Sequence, residues 1–325
     1  MAAATLVRNW DQLRKVLTAS EVSGVIRQHG DGRASYMTGL NAGSSGDQRT
    51  FSPVNQISVP KAANIVFLDG QEIFWDRSAD NATYLPGADR DFLIGTVVGD
   101  AQSADTTCTV NLNNHAEYLT QLQDGAGWNT LVVKTVVGST TVEVPDIKMR
   151  GGSAYMILGA TSEAQKVDLL STRAFAVGAR WIAEFLINIH DDGSSTAIDF
   201  NVGVANGTHA SDADAITEHC FFHMDANVTA INAQSKDGTT TVAATDTTKV
   251  YALDTQLHLM IDGRNPADIQ MYVNCVNVLP NSVFRLDNAT GPLKLLVHIE
   301  KTANAEVGEY RIDRARVRLC EQLTP

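Results

Sequence analysis

Regular alternation of apolar and polar residues is the feature that most constrains the fold of this 325-residue chain. Every second position is apolar from Trp181 to Ile189 and again from Ile198 to Val204, and the same period recurs in 108–112. A period of two is typical of a half-buried strand, because successive side chains of a strand point to opposite faces of a sheet. The sequence therefore predicts an all-β protein.

Two kinds of strand pattern follow one another along the chain. Between 63 and 113 short apolar runs are separated by turn residues, which predicts a small β-barrel or meander. From 166 onward about eight to ten longer strands predict a larger antiparallel β-sandwich of jelly-roll type. The Asp191–Gly193 turn between two alternating runs predicts a hairpin. A change of phase between Ile312 and Ala315 predicts a β-bulge in the last strand.

The first sixty residues form a third region. Apolar residues at 10, 13, 16 and 17 share one helical face, so a short helix is predicted from Asn9 or Trp10. After Gly30 the sequence is rich in Gly and Ser, which leaves two alternatives: a disordered leader, or an extended arm that orders against a partner. The predicted organisation is an arm over 1–60, a small barrel over 61–160 and a sandwich over 161–325.

Composition excludes some functions. A hydrophobic fraction of 44% excludes wholesale disorder, and a net charge of −12 disfavours binding to nucleic acid or anionic lipid. The first seventeen residues lack the apolar core of a secretory signal, and no apolar run reaches the ~20 residues of a membrane span. Synthesis and retention in a cytoplasm are predicted, with Cys108, Cys220, Cys275 and Cys320 as free thiols.

Three groups of residues are candidate metal sites. His219 and His223 would share one face of a strand while Cys220 points away, which makes them the best zinc candidate, although a fourth ligand is not visible. Loop carboxylates could hold calcium, but turns favour Asp in any case. These carboxylates are Asp191, Asp192 and Asp199, or Asp212 and Asp214. Two further histidines, His115 and His298, are expected to be isolated.

Catalytic signatures are missing from the sequence. There is no Gly-x-Ser-x-Gly elbow, no Cys/His signature and no phosphate-binding loop. Arg314, Arg316 and Arg318 share one face of the last strand, where they could meet an acidic partner or balance acidic residues on adjacent strands; the second alternative is favoured. The sequence predicts a protein that is not an enzyme, with no cofactor and no metal.

Residues 72–113 resemble the small β-barrel family of capsid decoration, or cement, proteins of tailed-phage heads. The resemblance is carried by Trp75-Asp76, by the run Ile94–Val98, by Asp100-Ala101 and by the strand that ends at Val110–Leu112. The segment from about 166 to 320 is similar in layout to concanavalin-like or jelly-roll sandwiches. That second similarity implies a fold rather than a ligand.

The first resemblance implies a structural virion protein on the outer surface of the capsid. Its expected partner is the major capsid protein, and a homotrimer is expected because cement sites usually lie on symmetry axes. The arm would attach through apolar side chains with no visible core of their own: Trp10, Leu13, Tyr36, Met37 and Phe51. A carbohydrate-binding adhesin, with a surface glycan as ligand, is the alternative function, and a glycan-cleaving enzyme ranks third.

Overall fold

The computed structural model describes residues 13–22, 24–38, 41–88, 90–122, 132–143, 154–194, 197–210, 212–225 and 228–320. The protein is all-β, as predicted, and divides into two compact units, Met1–Ala116 and Glu117–Pro325. The one helical turn in the described part is a 3-10 turn at Ala213–Ala215. No helix in these residues is long and apolar enough to cross a membrane.

The smaller unit begins with a four-stranded antiparallel sheet. Its strands are β1 (Leu13–Val16), β2 (Ile26–Gln28), β3 (Ala34–Met37) and β4 (Gln48–Ser52). Their order across the sheet is β1-β4-β3-β2. Leu17, Met37 and Phe51 are buried together, and Leu13 packs against them. This sheet therefore has an apolar core of its own.

A five-stranded antiparallel sheet forms the rest of the smaller unit. Its strands are β5 (Gln56–Pro60), β6 (Glu72–Asp76), β7 (Asn81–Thr83), β8 (Phe92–Val97) and β9 (Thr107–Leu112). The order is β5-β9-β8-β6-β7, and a bridge between Lys61, next to β5, and Ala82 in β7 joins the two edges. That bridge closes the sheet into the small barrel that the short strands predicted. Alternation in β9 is confirmed, since Cys108 and Val110 are buried.

The larger unit contains fifteen of the described strands. The first seven are β10 (Thr120–Leu122), β11 (Val132–Val137), β12 (Thr140–Glu143), β13 (Ala154–Leu158), β14 (Glu163–Ser171), β15 (Trp181–Asp191) and β16 (Ile198–Ala205). The other eight are β17 (Glu218–Asp225), β18 (Ala230–Asp237), β19 (Thr241–Val250), β20 (Leu257–Gly263), β21 (Gln270–Val273), β22 (Val276–Val278), β23 (Lys294–Asn304) and β24 (Gly308–Leu319). All their pairings are antiparallel, as a jelly-roll-type sandwich requires.

These strands form two sheets that enclose a single core. The eight-stranded sheet has the order β12-β13-β24-β15-β20-β21-β22, with β10 also paired to β24. The seven-stranded sheet has the order β11-β14-β23-β16-β17-β18-β19. Alternate side chains of both sheets are buried between them, among them Trp181, Phe200, Phe222 and Tyr310. We call the opposite side of each sheet its outer face.

The predicted hairpin at Asp191–Gly193 is wrong. Strand β15 pairs with β20 and β24, whereas β16 pairs with β17 and β23, so the turn connects the two sheets. Both strands alternate because each contributes one face to the shared core, and alternation does not reveal which strand is the neighbour. The bulge predicted between Ile312 and Ala315 is confirmed, because the register of β24 against β15 shifts there.

Two further predictions need correction. The helix predicted from Trp10 onward is not formed over Leu13–Val16, which is strand β1, and residues 1–12 lie outside the described part. The run after Gly30 is not a structureless arm, since it contains β3 and β4. The boundary predicted near 161 falls instead after Ala116, because β13 pairs with β24 at the far end of the chain.

The arginine stripe of β24 lies on the outer face of the eight-stranded sheet. Glu184 on the adjacent strand β15 binds both Arg316 and Arg318, at 2.5 Å and 3.0 Å. All three side chains are at least nine-tenths buried, and the guanidinium of Arg316 lies 4.2 Å from the centre of the Tyr118 ring. The favoured prediction, that an acidic neighbour balances this stripe, is confirmed.

His258 on the same outer face makes stability depend on pH. Burial and the arginines of β24 outweigh the attraction of Glu184 and lower the pKa of His258 to about 4. Its pKa in the unfolded chain is about 6.5, so only the unfolded state gains the proton as the pH falls from 7 to 5. The folded state then loses about 2 kcal/mol of stability from this residue.

Urea unfolding at pH 7 and pH 5 checks this expectation. The wild-type protein should lose about 2 kcal/mol more between the two pH values than His258→Asn, which cannot titrate. His190→Asn, at a histidine whose side chain is 40% exposed, controls for the loss of an imidazole elsewhere in the larger unit. Equal losses in the wild type and in His258→Asn would contradict the expectation.

Candidate functional site

A row of polar side chains crosses four adjacent strands on the outer face of the seven-stranded sheet. Asp168 in β14 lies opposite His298 in β23, His298 lies opposite Asn201 in β16, and Asn201 lies opposite His223 in β17. We call these four residues the polar row. All four are buried, although none of them faces the apolar core between the sheets. Burying a polar group costs free energy unless the group is hydrogen bonded, so the partners of these four residues decide whether the row is stable.

The polar row is held by charged hydrogen bonds. His298 Nδ1 lies 2.6 Å from Asp168 Oδ1, and Lys166 Nζ lies 3.1 Å from the other oxygen of the same carboxylate. On the far side, His298 Nε2 lies 3.2 Å from Glu300 Oε2. Burial alone would lower the pKa of His298, but the hydrogen bond to Asp168 and the neighbouring Glu300 raise it to about 8.

The other end of the polar row is centred on His223. Its Nδ1 lies 3.0 Å from Asn201 Oδ1 and 3.5 Å from Asp214 Oδ2, while its Nε2 lies 3.2 Å from Asp225 Oδ1. Burial opposes protonation of this imidazole, but Asp214 and the other nearby carboxylates outweigh it and raise the pKa of His223 to about 9. His223 therefore carries positive charge at neutral pH within an acidic environment.

A second row, one step along the same strands, consists of carboxylates. Asp199 in β16 lies opposite Glu300 in β23 on one side and Asp225 in β17 on the other. We call these three residues the acid row. Burial, the hydrogen bond with Asp225 and the charges of Asp225 and Glu300 raise the pKa of Asp199 against the attraction of His223. The three residues of the acid row are half-buried, although Glu300 Oε2 itself is buried.

The segment that contains the 3-10 turn covers part of this face. Ala213 and Ile216 pack on Leu170, Phe221 and Leu296, which form an apolar patch on the outer face. The side chain of Asp212 accepts a hydrogen bond from the backbone N–H of Asp214 and so caps the turn. These apolar contacts hold the 3-10 turn against the sheet, and the turn places the carboxylates of Asp212 and Asp214 near the polar row and the acid row.

Asp212 and Asp214 have different neighbours. A carboxylate oxygen of Asp212 lies within 4.8 Å of ligand oxygens of Asp199 and Glu300, at the acid row. Asp214 instead approaches His223 and accepts a hydrogen bond from Gln234 Nε2 at 2.5 Å. His223 thus contacts two carboxylates, Asp214 and Asp225, and further carboxylates of the acid row and Asp212 lie on the same face. Carboxylates can accept hydrogen bonds or hold a cation.

The zinc candidate predicted from sequence is only partly assembled. His219 and His223 share the outer face and Cys220 points to the core, as expected from alternation. However, His219 Nδ1 binds the Ile216 carbonyl at 2.9 Å and its ring stacks on Phe221, while Cys220 Sγ contacts Met271 Sδ at 3.5 Å. His219, Cys220 and His223 therefore do not form one site, and His223 belongs with the carboxylates.

The carboxylates proposed for calcium are also divided. Asp191 accepts from the Gly193 N–H and Asp192 accepts from the Tyr251 hydroxyl, so both serve the turn between the sheets. Asp199 lies elsewhere, in the acid row. His298, expected to be isolated, is part of the polar row, because strands distant in sequence bring Asp168 and Glu300 to it. His115 is exposed, 3.4 Å from Glu72.

The five residues assigned to a capsid partner lie in the smaller unit. Trp10 lies outside the described residues. Met37 and Phe51 are buried, Leu13 packs beside them, and the Tyr36 hydroxyl accepts from Asn55 Nδ2 at 3.0 Å. Sequence reasoning assigned the five residues to a partner because no core was visible locally, and the structure supplies a core within the unit for Leu13, Met37 and Phe51. Attachment to a capsid stays a prediction.

Asp168, Asn201, Asp225 and Glu300 were missed by the sequence reasoning. Each is a polar residue at an outward position of a strongly apolar strand. In a strand as apolar as β23, His and Glu at such positions are unusual, and that is a signal that the sequence offers. What the sequence does not show is the order of strands, which alone places the four side chains in adjacent positions.

Comparisons with known proteins show likeness at the level of strand layout. No protein family and no curated protein matches the chain. The carbohydrate recognition domain of Emp46p in its potassium-bound form has a TM-score of 0.40 at 11% identity, covering 62% of this chain and 94% of that one. The Ca2+/Man3GlcNAc-bound exoplasmic domain of VIP36 has a TM-score of 0.39 at 10% identity, covering 63% and 91%.

An enzyme is found at the same level of likeness. The alginate lyase AlgAT5 of polysaccharide lyase family 7 has a TM-score of 0.39 at 13% identity and covers 57% of this chain and 84% of that one.

Proposed function

We propose that the larger unit is a carbohydrate-binding domain, with the acid row and Asp212 as its ligand-contacting surface. The observation that supports this is the gathering of half-buried carboxylates on one rigid sheet face. Sugars present neighbouring hydroxyl groups that donate hydrogen bonds in pairs, and ionised carboxylates accept two each. Strand register holds these acceptors in place, so little ordering is needed when a ligand binds.

The charge of this face restricts the class of glycan. Carboxylates from three strands and a turn repel phosphate, sulfate and uronate groups, in agreement with the net charge of −12. The proposed ligand is therefore a neutral glycan with free vicinal hydroxyls. A nucleic acid is disfavoured for the same reason.

Binding is proposed rather than cleavage because of the geometry of the acids. Asp199 and Asp225 are hydrogen bonded to one another, and carboxylate oxygens of Asp199, Asp212 and Glu300 lie within 4.8 Å of one another. The two carboxyl groups of glycosidases stand about 5 to 9.5 Å apart, so that a sugar or a water fits between them. A pair in direct contact leaves no such space.

A glycan array probed with the labelled full-length protein tests this function. Binding should be confined to neutral glycans, and Asp199→Asn and Asp225→Asn should weaken it at least about tenfold, because charged hydrogen bonds contribute about 1.5 to 3 kcal/mol. Asp268→Asn, an exposed carboxylate beside the eight-stranded sheet, is the matched control and should bind as the wild type does. Absence of glycan binding, or equal binding by all three variants, would contradict the proposal.

A further inference from the structure

A polar cleft of about 540 Å³ lies at one end of the eight-stranded sheet of the larger unit. Trp181, the first residue of β15, lies opposite Gly263, the last residue of β20. Arg180 and Arg264, the residues just outside this pair, therefore lie next to each other in the cleft. Other residues of the lining are Asp262, Asp268, Gln270 and Pro280. Clefts of about 300 to 1,000 Å³ are typical of small-molecule sites, and a lining that is polar apart from one proline restricts the ligand to a polar one.

One ion pair in this cleft is already complete. The guanidinium of Arg264 binds the carboxylate of Asp262 through two nitrogens, with Nε 2.9 Å from Oδ1 and Nη2 2.7 Å from Oδ2. The charges of this bidentate pair cancel, so the pair offers little net attraction to an ion. The charge that the cleft presents to a ligand therefore depends on its two other ionised side chains, Arg180 and Asp268.

Arg180 supplies a positive charge without a counter-charge. Within the described residues its side chain has no ion pair, and its Nε is buried without a hydrogen-bond acceptor. Its backbone has a φ of +51°, a left-handed conformation that Arg seldom adopts, and its carbonyl accepts a hydrogen bond from the Cys320 N–H at 2.7 Å. Strained residues of this kind cluster where ligands bind. A carboxylate is the planar anion that fits a guanidinium, since its two oxygens can accept two parallel hydrogen bonds.

Asp268 supplies the opposite charge. Its Oδ1 accepts a hydrogen bond from Gln270 Nε2 at 2.9 Å, and Gln270 Oε1 accepts one from Asn277 Nδ2 at 3.0 Å. These two amides hold the carboxylate in one orientation, and no cationic side chain among the described residues pairs with it. An ionised carboxylate can accept further hydrogen bonds, and an ammonium group offers three donors. The cleft therefore has one group suited to a carboxylate and one suited to an ammonium group.

We propose that this cleft binds a small zwitterion of the amino-acid type, with its carboxylate on Arg180 and its ammonium group on Asp268. A ligand without net charge follows from the lining, because the complete pair leaves one positive and one negative group. A dianion such as phosphate is disfavoured by the carboxylates of the cleft and by the net charge of −12. The site belongs to the eight-stranded sheet, so it does not depend on the glycan-binding surface proposed on the seven-stranded sheet.

Saturation-transfer NMR of the full-length protein with a mixture of the standard L-amino acids tests the site. At least one amino acid should bind, and titration then gives its affinity. The N-acetyl derivative of that amino acid lacks the ammonium charge and the methyl ester lacks the carboxylate charge, so each should bind at least about tenfold more weakly. No binding by any amino acid, or undiminished binding by either derivative, would overturn the proposal.

Two variants test the residues assigned to the ligand. Arg180→Asn removes the guanidinium but keeps a residue that tolerates left-handed backbone, so it should retain the urea midpoint and weaken binding at least about tenfold. Asp268→Asn should weaken amino-acid binding to a similar extent and leave glycan binding unchanged, which separates this site from the proposed function. Arg285→Gln is the matched control, because it disrupts a partly exposed ion pair with Asp287 outside the cleft. Wild-type affinity for the amino acid in both cleft variants would show that the assignment is wrong.

Discussion

A fragment that begins at Glu117 is expected to fold cooperatively, whereas a fragment that begins at Ala164 is expected to fail. The shorter fragment lacks β13, whose Ala154, Met156 and Leu158 are fully buried in the core of the sandwich. It also lacks β11, which pairs with β14 along six residues. Loss of β13 leaves an edge of β24 unpaired, and loss of β11 leaves an edge of β14 unpaired, so the core between the two sheets is opened.

The expected effect is comparable with the stability of a whole domain. Removing a buried Leu or Met side chain costs about 2 to 5 kcal/mol, and domains are stable by only about 5 to 15 kcal/mol. Circular dichroism and urea unfolding of both fragments provide the measurement. Met156→Ala in the longer fragment is the control, because it should lower the urea midpoint and keep a cooperative transition. A cooperative transition of the Ala164 fragment at the midpoint of the longer one would contradict the boundary after Ala116.

The position of this boundary shows what local patterns can and cannot supply. Strand β13 lies in the region predicted as the small barrel, and the sequence offers no local sign that its partner is β24, about 150 residues later. The boundary predicted near 161 falls in the connection from β13 to β14, which joins the two sheets of one sandwich. Composition marks turns, and turns occur inside domains as often as between them.

Strand character was predictable where one face of a strand is buried. The alternation in β15 and β16 and the bulge in β24 were read directly from side-chain spacing. The crossing from β15 in one sheet to β16 in the other was not predictable, because a tight turn can equally well join two strands of a hairpin. Pairing depends on twist and on the packing of whole sheets, which no window of ten residues contains.

The candidate site was predictable only in fragments for the same reason. His223 was selected, and so were Asp199, Asp212 and Asp214, each with the wrong neighbours. Strand register across β14, β23, β16 and β17 brings Asp168, His298 and Glu300 to them from positions up to about 130 residues away. The prediction that acidic residues balance the arginine stripe was confirmed because it required only an opposite charge on an adjacent strand, not a particular residue.

Glu184→Gln is expected to produce the largest loss of stability among single substitutions at charged residues of the larger unit's described part. Burial on its own would raise the pKa of Glu184, but Arg316 and Arg318 outweigh it and hold the pKa well below its usual range. The substitution removes the carboxylate that both buried guanidinium groups contact. Removing one partner of a buried ion pair costs about 3 to 5 kcal/mol.

Urea unfolding at pH 7 measures this loss, and two further variants define its cause. Glu309→Gln disrupts the less buried pair with Arg311 on the same strand, and it should cost less than about 1 kcal/mol. Replacing Glu184, Arg316 and Arg318 together by Met should be far less harmful than Glu184→Gln, because the two guanidinium groups are then removed together with the carboxylate that they contact. If the triple variant loses as much stability as Glu184→Gln, packing on this face and not the uncompensated charge governs the effect.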